Sequence, residues 1–356
     1  MSDVASQGAD LMRAAVIDRH GGPEVIELRS VPVPRPGPDE LVVRVAAAGC
    51  NNTDIWTREG AYGSGSGVRA GWLGPLSFPR VQGGDVCGTV VELGAGVGDR
   101  DLLGARVLLD PAGYDGPGRD ASVADVLGSE RDGGFAERVV VPAVRAHRVD
   151  DSPLSDVELA ALPIAYGTAL GMLERGGVGE GQQVLVTGAS GGVGLAAVQL
   201  SGARGARVVA VCGAHKAAAV LAAGADVVVP RDGDVLTAAA DAAPEGYDVV
   251  VDLVAGPFLG EGLGLLRRRG RWVVSGALAG SDVAFDVRRL YLSDLTVVGS
   301  TMHTRRVFDD LVTIARRGSV RPAVAATYAL EHLEAAQRAL ATREHVGKIV
   351  VVPSSC

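Results

Sequence analysis

The sequence predicts an α/β protein in which a β-rich domain accompanies a doubly wound parallel sheet. The chain has 356 residues, more than one hydrophobic core usually organises. Between about residues 12 and 150, short apolar runs are separated by glycine and proline turns, whereas from about residue 183 apolar runs alternate with helix-like stretches. Strands that are buried on both faces and joined by helices are typical of a doubly wound parallel sheet.

The β-rich part has its predicted strands at residues 14–17, 25–28, 41–47, 86–93, 105–109 and 135–141. Turn-forming residues separate them, and this spacing predicts an antiparallel barrel or sandwich. Two long loops, 60–80 and 111–134, are rich in Gly, Ser and Asp. Because compact domains seldom contain structureless loops of that length, we expect these loops to cover a site.

The parallel sheet is predicted from six apolar runs, at residues 184–187, 207–211, 226–229, 248–253, 271–275 and 295–300. Helices are expected at 193–204 and 216–223, and a further helical stretch is expected to end at Arg268. After residue 304 the apolar periodicity predicts helices at 307–316 and 331–340 and a closing strand at 348–352.

Composition and charge exclude several classes of protein. Apolar residues make up 47% of the chain and charged residues 21%, a mixture typical of folded domains. No apolar run approaches roughly 18 residues, so no membrane span is predicted. The formal net charge is −8, and phosphate binding needs a basic surface, so neither nucleic acid nor an anionic membrane is expected as a partner.

The N-terminus and the cysteines bear on location. Residues 1–11 lack the basic start and apolar block of a secretion signal and are expected to form a disordered tail. The four cysteines are scattered and include no CxxC pair, which predicts neither a disulfide framework nor structural zinc. A reducing cytoplasm is the expected location.

The strongest chemical signal is segment 184–194, which reads VLVTGASGGVG. A buried strand enters a glycine-rich turn that opens a helix, an arrangement that lets backbone N–H groups approach a pyrophosphate. The GxGxxG pattern is broken, because Ala189 stands where the first glycine belongs. The alternative is a tight turn without a ligand. The predicted dinucleotide contacts in this turn are Gly188, Ser190, Gly191, Gly192 and Val193.

The next strand indicates which dinucleotide binds. In NAD sites this strand usually ends in Asp or Glu, which binds the ribose 2′-hydroxyl. Here it ends at Cys212, a further predicted cofactor contact, and no acidic residue follows before Asp226. Lys216, one of two lysines in the chain, would attract a 2′-phosphate, with His215 and Arg231 as additional donors. NADPH is therefore the expected cofactor; alternatively, Lys216 is an ordinary solvated residue at a helix start.

Several motifs, in order along the chain, resemble the medium-chain dehydrogenase/reductase superfamily. They lie at residues 47–54, 83–91, 162–163, 166–169, 188–194, 299–301 and 346–350. The resemblance implies a GroES-like catalytic domain formed by residues 12–155 and 304–356, with a Rossmann NADP(H)-binding domain of residues 156–303 between them. It also implies an active site in the cleft and a homodimer.

The resemblance also bears on zinc. Zinc alcohol dehydrogenases of this superfamily have Cys where this chain has Asn51, and His-Glu where it has Gly84 and Asp85. An amide and a glycine cannot replace a thiolate and an imidazole as zinc ligands. The region that would hold four structural cysteines, 99–134, contains none. The chain is therefore similar to the zinc-free quinone oxidoreductase and enoyl reductase branch, and no zinc is expected.

Without a metal, the easier hydride chemistry is reduction of an enone or a quinone. The incoming charge then spreads onto a carbonyl oxygen, which hydrogen-bond donors can stabilise. The resemblance implies that Asn51 lies beside the nicotinamide as such a donor, and that Tyr62 is a cleft tyrosine that donates to the substrate or acts as an acid. The alternatives are a loop cap for Asn51 and a packing role for Tyr62.

The resemblance implies further contacts in the cleft. Asp85 is expected to form a buried hydrogen bond or to pair with an arginine. The apolar residues of the 60–80 loop either form a hydrophobic acceptor pocket or plug a domain or dimer contact; they are Trp72, Leu73, Leu76 and Phe78. The additional cofactor contacts are expected at Thr168, Val254, Ser300 and Lys348. Alternatively, Thr168 packs in a helix between the domains and Lys348 is a surface charge on a strand.

The function that these patterns favour is NADPH-dependent reduction of a quinone or an α,β-unsaturated carbonyl, with a hydrophobic small molecule as acceptor. One alternative is an NADP-dependent dehydrogenase or carbonyl reductase of a secondary-metabolite intermediate. The other is a non-enzymatic NADPH-binding protein, since nucleotide-binding folds serve many functions.

Overall fold

The structure is a computed structural model that describes residues 10–63, 70–118 and 121–353. Across these residues the strands are β1 (Leu11–Ile17), β2 (Glu27–Pro32), β3 (Glu40–Gly49), β4 (Arg80–Val81), β5 (Asp85–Leu93), β6 (Arg106–Leu109), β7 (Ala112–Tyr114), β8 (Val123–Val126), β9 (Arg138–Pro142), β10 (Ala146–Arg148), β11 (Gln183–Val186), β12 (Arg207–Cys212), β13 (Val227–Pro230), β14 (Tyr247–Asp252), β15 (Leu266–Val274), β16 (Thr296–Gly299), β17 (Val324–Ala329) and β18 (Lys348–Val352). The helices are α1 (Asn52–Glu59), α2 (Asp156–Leu159), α3 (Pro163–Gly176), α4 (Gly192–Ala203), α5 (Ala217–Ala222), α6 (Val235–Ala242), α7 (Pro257–Gly262), α8 (Val287–Leu292), α9 (Arg305–Arg317) and α10 (Leu333–Thr342).

The β-rich part is built mainly from antiparallel pairs. Its largest sheet has the order β10-β6-β5-β3-β18-β17, with β9 also paired to β3. Strand β18 pairs antiparallel with β3, where Gly49 pairs with Val350, so segments more than 290 residues apart lie side by side in one sheet. The pairing of β17 with β18 is parallel and departs from the antiparallel expectation, because α10 connects the two strands and returns the chain to the same edge.

The second part is a doubly wound parallel sheet, as the apolar runs predicted. Its strand order among the described residues is β13-β12-β11-β14-β15-β16, and every pairing is parallel. Alternate residues of the same strands enter different cores: Val184 and Val208 pack on the side of α3 and α4, whereas Leu185 and Val209 pack with Trp272. The carboxyl ends of the strands therefore meet at one edge, where such sheets bind ligands.

Some predicted boundaries are wrong. The helical stretch expected to reach Arg268 ends at Leu265: α7 is followed by one 3-10 turn, Leu263–Leu265, and β15 begins at Leu266. Leu266 already pairs with Tyr247 of β14, so the chain joins the parallel sheet before Arg268. The strand expected at 25–28 begins at Glu27, because Pro23 starts a short 3-10 turn.

The expected N-terminal tail is shorter than residues 1–11. Residues 1–9 lie outside the described residues, and Leu11 begins β1, where it pairs with Pro32 of β2. The domain boundaries at 155/156 and 303/304 remain predictions. No helix in the described part of the chain is long and apolar enough to cross a membrane.

A shared core and a backbone contact join the two parts. Leu162, Tyr166 and Leu170 pack in one apolar cluster with Ala47 of β3 and Val198 of α4. On the other side of the junction, the backbone N–H of Gly347 donates to the carbonyl of Ser190 across 2.9 Å. The segment before β18 therefore lies along the glycine-rich turn, and a cleft opens between the parts beside it.

Candidate active site

The cleft contains a continuous groove made of two adjoining cavities, of about 370 and 590 Å³. The smaller lies at the carboxyl ends of β12 and β13, and the larger lies against the β-rich part. Both cavities are lined by the glycine-rich turn, at Gly188, Gly191 and Gly192. The groove is therefore long enough to pass from one end of the parallel sheet, over the turn, to residues of both domains.

The geometry of the turn explains its glycines. Gly188 has a φ of +59°, in the left-handed region that favours glycine. A Cβ on Gly194 would lie 2.2 Å from the carbonyl oxygen of Gly188, so the helix can pack on the turn only with glycine there. Gly191 is the N-cap of α4, and no side chain caps the helix. The free N–H groups at the start of α4 lie beside the groove, and N–H groups at a helix start bind phosphate groups.

A buried carboxylate holds the ends of the neighbouring strands. Asp252 is fully buried and accepts hydrogen bonds from Thr187 Oγ1 (2.6 Å), Trp272 Nε1 (2.9 Å) and the backbone N–H of Val254 (2.9 Å). It ties β11, β14 and β15 together where the groove passes them. Sequence reasoning missed this residue, because nothing in its local pattern shows that Thr187 and Trp272 lie beside it.

The smaller cavity contains most residues predicted to bind the adenosine end of the cofactor. Cys212, Lys216, Arg231 and Val254 line it, and no acidic residue does so among the described residues. Lys216 is not a solvated helix start: it is 5% exposed, and its Nζ donates to the carbonyl of Arg343 across the cleft. This hydrogen bond links the parallel-sheet domain to the C-terminal segment.

The prediction for His215 finds no support in this geometry. The short 3-10 turn Ala214–Lys216 directs Lys216 into the cavity and His215 outward. The imidazole is 57% exposed and lies 3.6 Å from the Glu344 carboxylate. A residue adjacent to an inward-facing lysine in such a tight turn faces away from it, which the sequence pattern could not resolve.

Two residues that sequence reasoning missed also line the smaller cavity, namely Arg343 and His345. They belong to the segment between α10 and β18 of the other domain. Burial, reinforced by the positive charge of Lys216, lowers the pKa of His345, so this imidazole is neutral at pH 7. Its Nδ1 is buried and has no hydrogen-bond partner in the described structure. No sequence motif marks these residues, because only the fold brings them to the cavity.

The larger cavity brings together residues that are far apart in the sequence. Its lining includes the predicted residues Asn51, Tyr62, Thr168, Val193, Ser300 and Lys348. Their proposed contacts with cofactor and acceptor remain predictions. The fold nevertheless gathers them from α1, α3, α4, β16 and β18 around one space beside the glycine-rich turn.

A closed hydrogen-bond network lies at the inner end of this cavity. Lys348 Nζ donates to the Cys50 carbonyl (2.8 Å), to Asn51 Oδ1 (2.6 Å) and to Asp85 Oδ2 (2.8 Å). Asn51 Nδ2 in turn donates to Asp85 Oδ2 across 2.9 Å. Asp85 therefore forms the expected buried hydrogen bonds, with a lysine rather than an arginine as its charged partner. Asn51, which is also the N-cap residue of α1, joins this network through its side chain.

The donors at this position do not fit zinc. The groups at this position are the Asn51 amide, the Asp85 carboxylate and the Lys348 ammonium, whereas zinc prefers thiolate and imidazole ligands. Burial raises the pKa of the Cys50 thiol, which keeps it protonated at neutral pH. In the part of the chain that the structure describes, no three His, Cys, Asp and Glu side chains come together to hold a metal. The expectation of no zinc remains a prediction.

Tyr62 and two tryptophans form the outer wall of the larger cavity. The Tyr62 hydroxyl donates to Thr53 Oγ1 across 2.9 Å, and its ring meets Trp56 edge-on at 5.5 Å between centroids. Burial raises the pKa of Tyr62 to about 12, so the phenol keeps its proton at neutral pH. Trp72 also lines the cavity and packs beside Ile164 in an apolar cluster.

Only part of the described 60–80 loop lines the larger cavity. Of its four apolar candidates, Trp72 faces the cavity, whereas Leu73 is exposed and Phe78 packs edge-on against His20. Residues 64–69 of this loop lie outside the described residues. Of the apolar candidates in this loop, the Trp72 indole lines the larger cavity, as does Tyr62 from the start of the same loop.

Asp54 makes the stability of the site depend on pH. Burial raises the pKa of Asp54 to about 7, and the Asp85 carboxylate acts in the same direction. The folded state therefore binds a proton that the unfolded state releases between about pH 4 and pH 7, so this group's contribution to stability falls as pH rises through that window. Asp54→Asn should remove this dependence, on the order of 3 kcal/mol, while its amide oxygen can still accept from the Asn51 N–H.

Urea unfolding at about pH 5 and about pH 8 measures the free energy of unfolding of the natural protein and of Asp54→Asn, and so the pH dependence of each. We expect the variant to gain stability relative to the natural protein at the higher pH. Equal pH dependence in the two proteins would show that Asp54 stays ionised when folded.

Comparison with known proteins agrees with this geometry. The family described as "Zinc-binding dehydrogenase" matches residues 192–317, and the "Alcohol dehydrogenase GroES-like domain" matches residues 37–151. Acryloyl-coenzyme A reductase of Sulfurisphaera tokodaii is 30% identical, over 96% of this chain and 100% of its own. A candidate alcohol dehydrogenase from Sinorhizobium meliloti 1021 superimposes with a TM-score of 0.93 at 42% identity, covering 98% of both chains.

A further solved structure contains ligands. The 2-octenoyl-CoA carboxylase reductase CinF, in complex with NADP and 2-octenoyl-CoA, has a TM-score of 0.82 at 28% identity and covers 98% of this chain and 89% of its own. A GroES-like domain beside a Rossmann sheet, with a groove over a glycine-rich turn, defines a pyridine-nucleotide-dependent oxidoreductase. The chain belongs to the medium-chain dehydrogenase/reductase superfamily.

Proposed function

We propose that this protein is an NADPH-dependent reductase of α,β-unsaturated carbonyls or quinones that works without zinc. The observation that supports this most directly is the groove itself. It runs from Lys216 and Arg343, over the glycine-rich turn, to Asn51 and Tyr62. Along its length the groove has a basic end, an anion-binding turn and an apolar end with two polar groups. This order matches the order of the parts of a bound NADPH followed by an acceptor.

Each part of the groove has a role in this proposal. A bound reduced nicotinamide would supply hydride to the β-carbon of the acceptor. Asn51 would donate an N–H to the carbonyl oxygen, where the negative charge develops. One of its two N–H groups makes only a long 3.4 Å contact with the Gly49 carbonyl, which leaves it available to a ligand. Tyr62, protonated at neutral pH, would return a proton to the α-carbon of the acceptor.

The lining of the larger cavity supports a hydrophobic acceptor. Trp56, Trp72, Ile164 and Met302 surround the polar pair of Asn51 and Tyr62. Related proteins reduce acryloyl-CoA or bind 2-octenoyl-CoA, both of which contain a carbon–carbon double bond conjugated to a thioester. This supports an enoyl acceptor ahead of a quinone.

Lys216→Ala tests the cofactor. We expect it to raise the KM for NADPH about 10- to 100-fold and to leave the KM for NADH almost unchanged, because one charge-assisted hydrogen bond to the 2′-phosphate is lost. Initial-rate kinetics with both cofactors measure the two values. Lys216 also bonds to the Arg343 carbonyl, so an equal rise for both cofactors would indicate that the residue only joins the domains and would overturn the NADPH assignment.

A substrate panel tests the reaction class. Enones, enoyl thioesters and quinones are compared with saturated ketones and aldehydes, with NADPH oxidation as the readout. The proposal predicts turnover with the conjugated acceptors alone. Turnover confined to ketones would favour an NADP-dependent dehydrogenase or carbonyl reductase, which the similarity to alcohol dehydrogenases supports. Tight NADPH binding without turnover would favour a non-enzymatic binding protein.

We also propose a homodimer in the cytoplasm. Four large apolar side chains on α8 and β16 are exposed, namely Val287, Tyr291, Leu292 and Val297. In the described part of the chain β16 is an edge strand, and an apolar edge strand is a favourable surface for a second copy. The double substitution Tyr291→Glu and Val297→Lys should convert the protein to monomers in sedimentation velocity. A natural protein that sediments as a monomer would contradict the dimer.

A further inference from the structure

We propose that Asp85 and Lys348 are positioning residues that together fix the orientation of the Asn51 amide in the cavity. This inference rests on the proposed function, because the orientation matters for the reaction only if Asn51 donates to the acceptor. It starts from the same side chains that distinguish this position from a zinc site. The position holds an ammonium among oxygen atoms rather than a set of metal ligands.

The network leaves no freedom to the Lys348 ammonium. Its side chain is 4% exposed and that of Asp85 is fully buried, so water cannot replace either partner. An ammonium has three N–H groups, and the oxygens of Cys50, Asn51 and Asp85 accept all three at 2.6–2.8 Å. Such a group contributes charge and geometry to the site, and the predicted contact of Lys348 with the cofactor would require one of these three hydrogen bonds to break.

The two charges select one of the two possible orientations of the amide. In the observed orientation Oδ1 accepts from the ammonium and Nδ2 donates to the carboxylate. The reversed amide would place N–H groups against the ammonium and oxygen against the carboxylate, and both contacts would be repulsive. Rotation about the terminal torsion of asparagine is otherwise soft, so Asn51 alone would not keep its N–H groups on one side.

The positioning pair is itself held by the backbone around it. The backbone N–H of Ile164, at the start of α3, donates to Asp85 Oδ1 across 2.6 Å. The Lys348 side chain lies against Gly192, where a Cβ would be 2.8 Å from its Cδ. The pair thus connects the Asn51 amide to both α3 and the glycine-rich turn. It therefore holds the amide at a fixed place relative to the proposed cofactor site.

The experiment compares Asp85→Asn with the double variant Asp85→Asn, Lys348→Met. The single variant leaves a buried cation without its partner and risks misfolding, whereas the double variant removes both charges. In the double variant the oxygen of the new amide accepts from the Ile164 N–H, so its N–H groups face Asn51 and the Asn51 amide reorients. In the single variant the Lys348 ammonium still requires an oxygen at this point, so the double variant is the one that tests the orientation. We expect kcat for an enone to fall about tenfold or more while the KM for NADPH stays within about twofold, because a misplaced donor costs transition-state binding only.

The matched control is Asp248→Asn. Asp248 is also a buried carboxylate, paired with Arg267, but it lies at the amino end of β14, away from the groove. It should lower thermal stability without a change in kcat. If the double variant folds and retains the kcat of the natural protein, the positioning role is wrong.

A second readout is independent of turnover. In ¹⁵N-labelled protein, the Asn51 side-chain amide should exchange its protons slowly in the natural protein and fast in the double variant. The signal can be assigned by its loss in Asn51→Asp. Slow exchange in both proteins would overturn the inference even if no acceptor is ever reduced. An inactive natural protein with the expected exchange difference would instead contradict only the proposed reaction.

Discussion

Replacing Asn51 by alanine is expected to lower kcat for enone reduction about 10²- to 10³-fold, the usual cost of removing one donor to a developing oxyanion. The amide is the group in the larger cavity that combines an available N–H with a position beside the glycine-rich turn. Binding of NADPH should change less than about threefold, because the proposed hydrogen bond forms with the acceptor. Steady-state kinetics and a fluorescence titration measure the two quantities.

Two comparisons make the result for Asn51 specific. Asn51→Asp keeps the shape but replaces the N–H groups by a carboxylate facing Asp85, so it should be at least as damaging. Tyr62→Phe removes only the hydroxyl that bonds to Thr53 and should slow proton return rather than hydride transfer. A kcat in Asn51→Ala within about threefold of the natural value would remove Asn51 from the mechanism.

Replacing Gly191 by alanine is expected to weaken NADPH binding about tenfold or more without unfolding the protein. A Cβ at Gly191 would meet only the Gly188 carbonyl, at 3.6 Å, and would otherwise project into the groove. Its φ of −78° and ψ of 172° suit alanine, and alanine in place of glycine at an N-cap costs about 1 kcal/mol, too little to unfold the protein. The new methyl group would occupy the space that a pyrophosphate needs. Isothermal titration and urea unfolding measure binding and stability separately.

Gly194→Ala provides the contrast within the same turn. Its Cβ would lie 2.2 Å from the Gly188 carbonyl, so the turn or the helix must shift, at a cost of about 1–3 kcal/mol. We therefore expect Gly194→Ala to lose stability and Gly191→Ala to lose binding. If Gly191→Ala binds NADPH as tightly as the natural protein, the phosphates do not pass over this turn.

The parts that could be predicted from sequence are those fixed by local pattern. The glycine-rich turn, the parallel sheet and the apolar strands follow from residues adjacent in sequence, since a buried strand, a tight turn and a helix start have local signatures. The end of the helical stretch expected at Arg268 was wrong, because the pairing of Leu266 with Tyr247 that draws these residues into the sheet is tertiary. The same reasoning could not show whether Lys216 or His215 faces the cavity.

The parts that could not be predicted depend on contacts between distant segments. Asp85 and Lys348 are 263 positions apart, and only the pairing of β3 with both β5 and β18 brings them together. Arg343 and His345 reach the smaller cavity from the other domain, and Asp252 acts through Thr187 and Trp272. A buried polar network of this kind has no periodicity in the sequence, and its members become visible only when distances can be measured.

The most direct test of the account follows a label from cofactor to product. NADPH deuterated at the transferable position is incubated with an enone or enoyl thioester and protein purified in chelator and shown by elemental analysis to lack zinc. We expect a product with one deuterium at the β-carbon, formed at the same rate with and without chelator. Deuterium at a carbonyl carbon, or transfer only after zinc is restored, would contradict zinc-independent conjugate reduction.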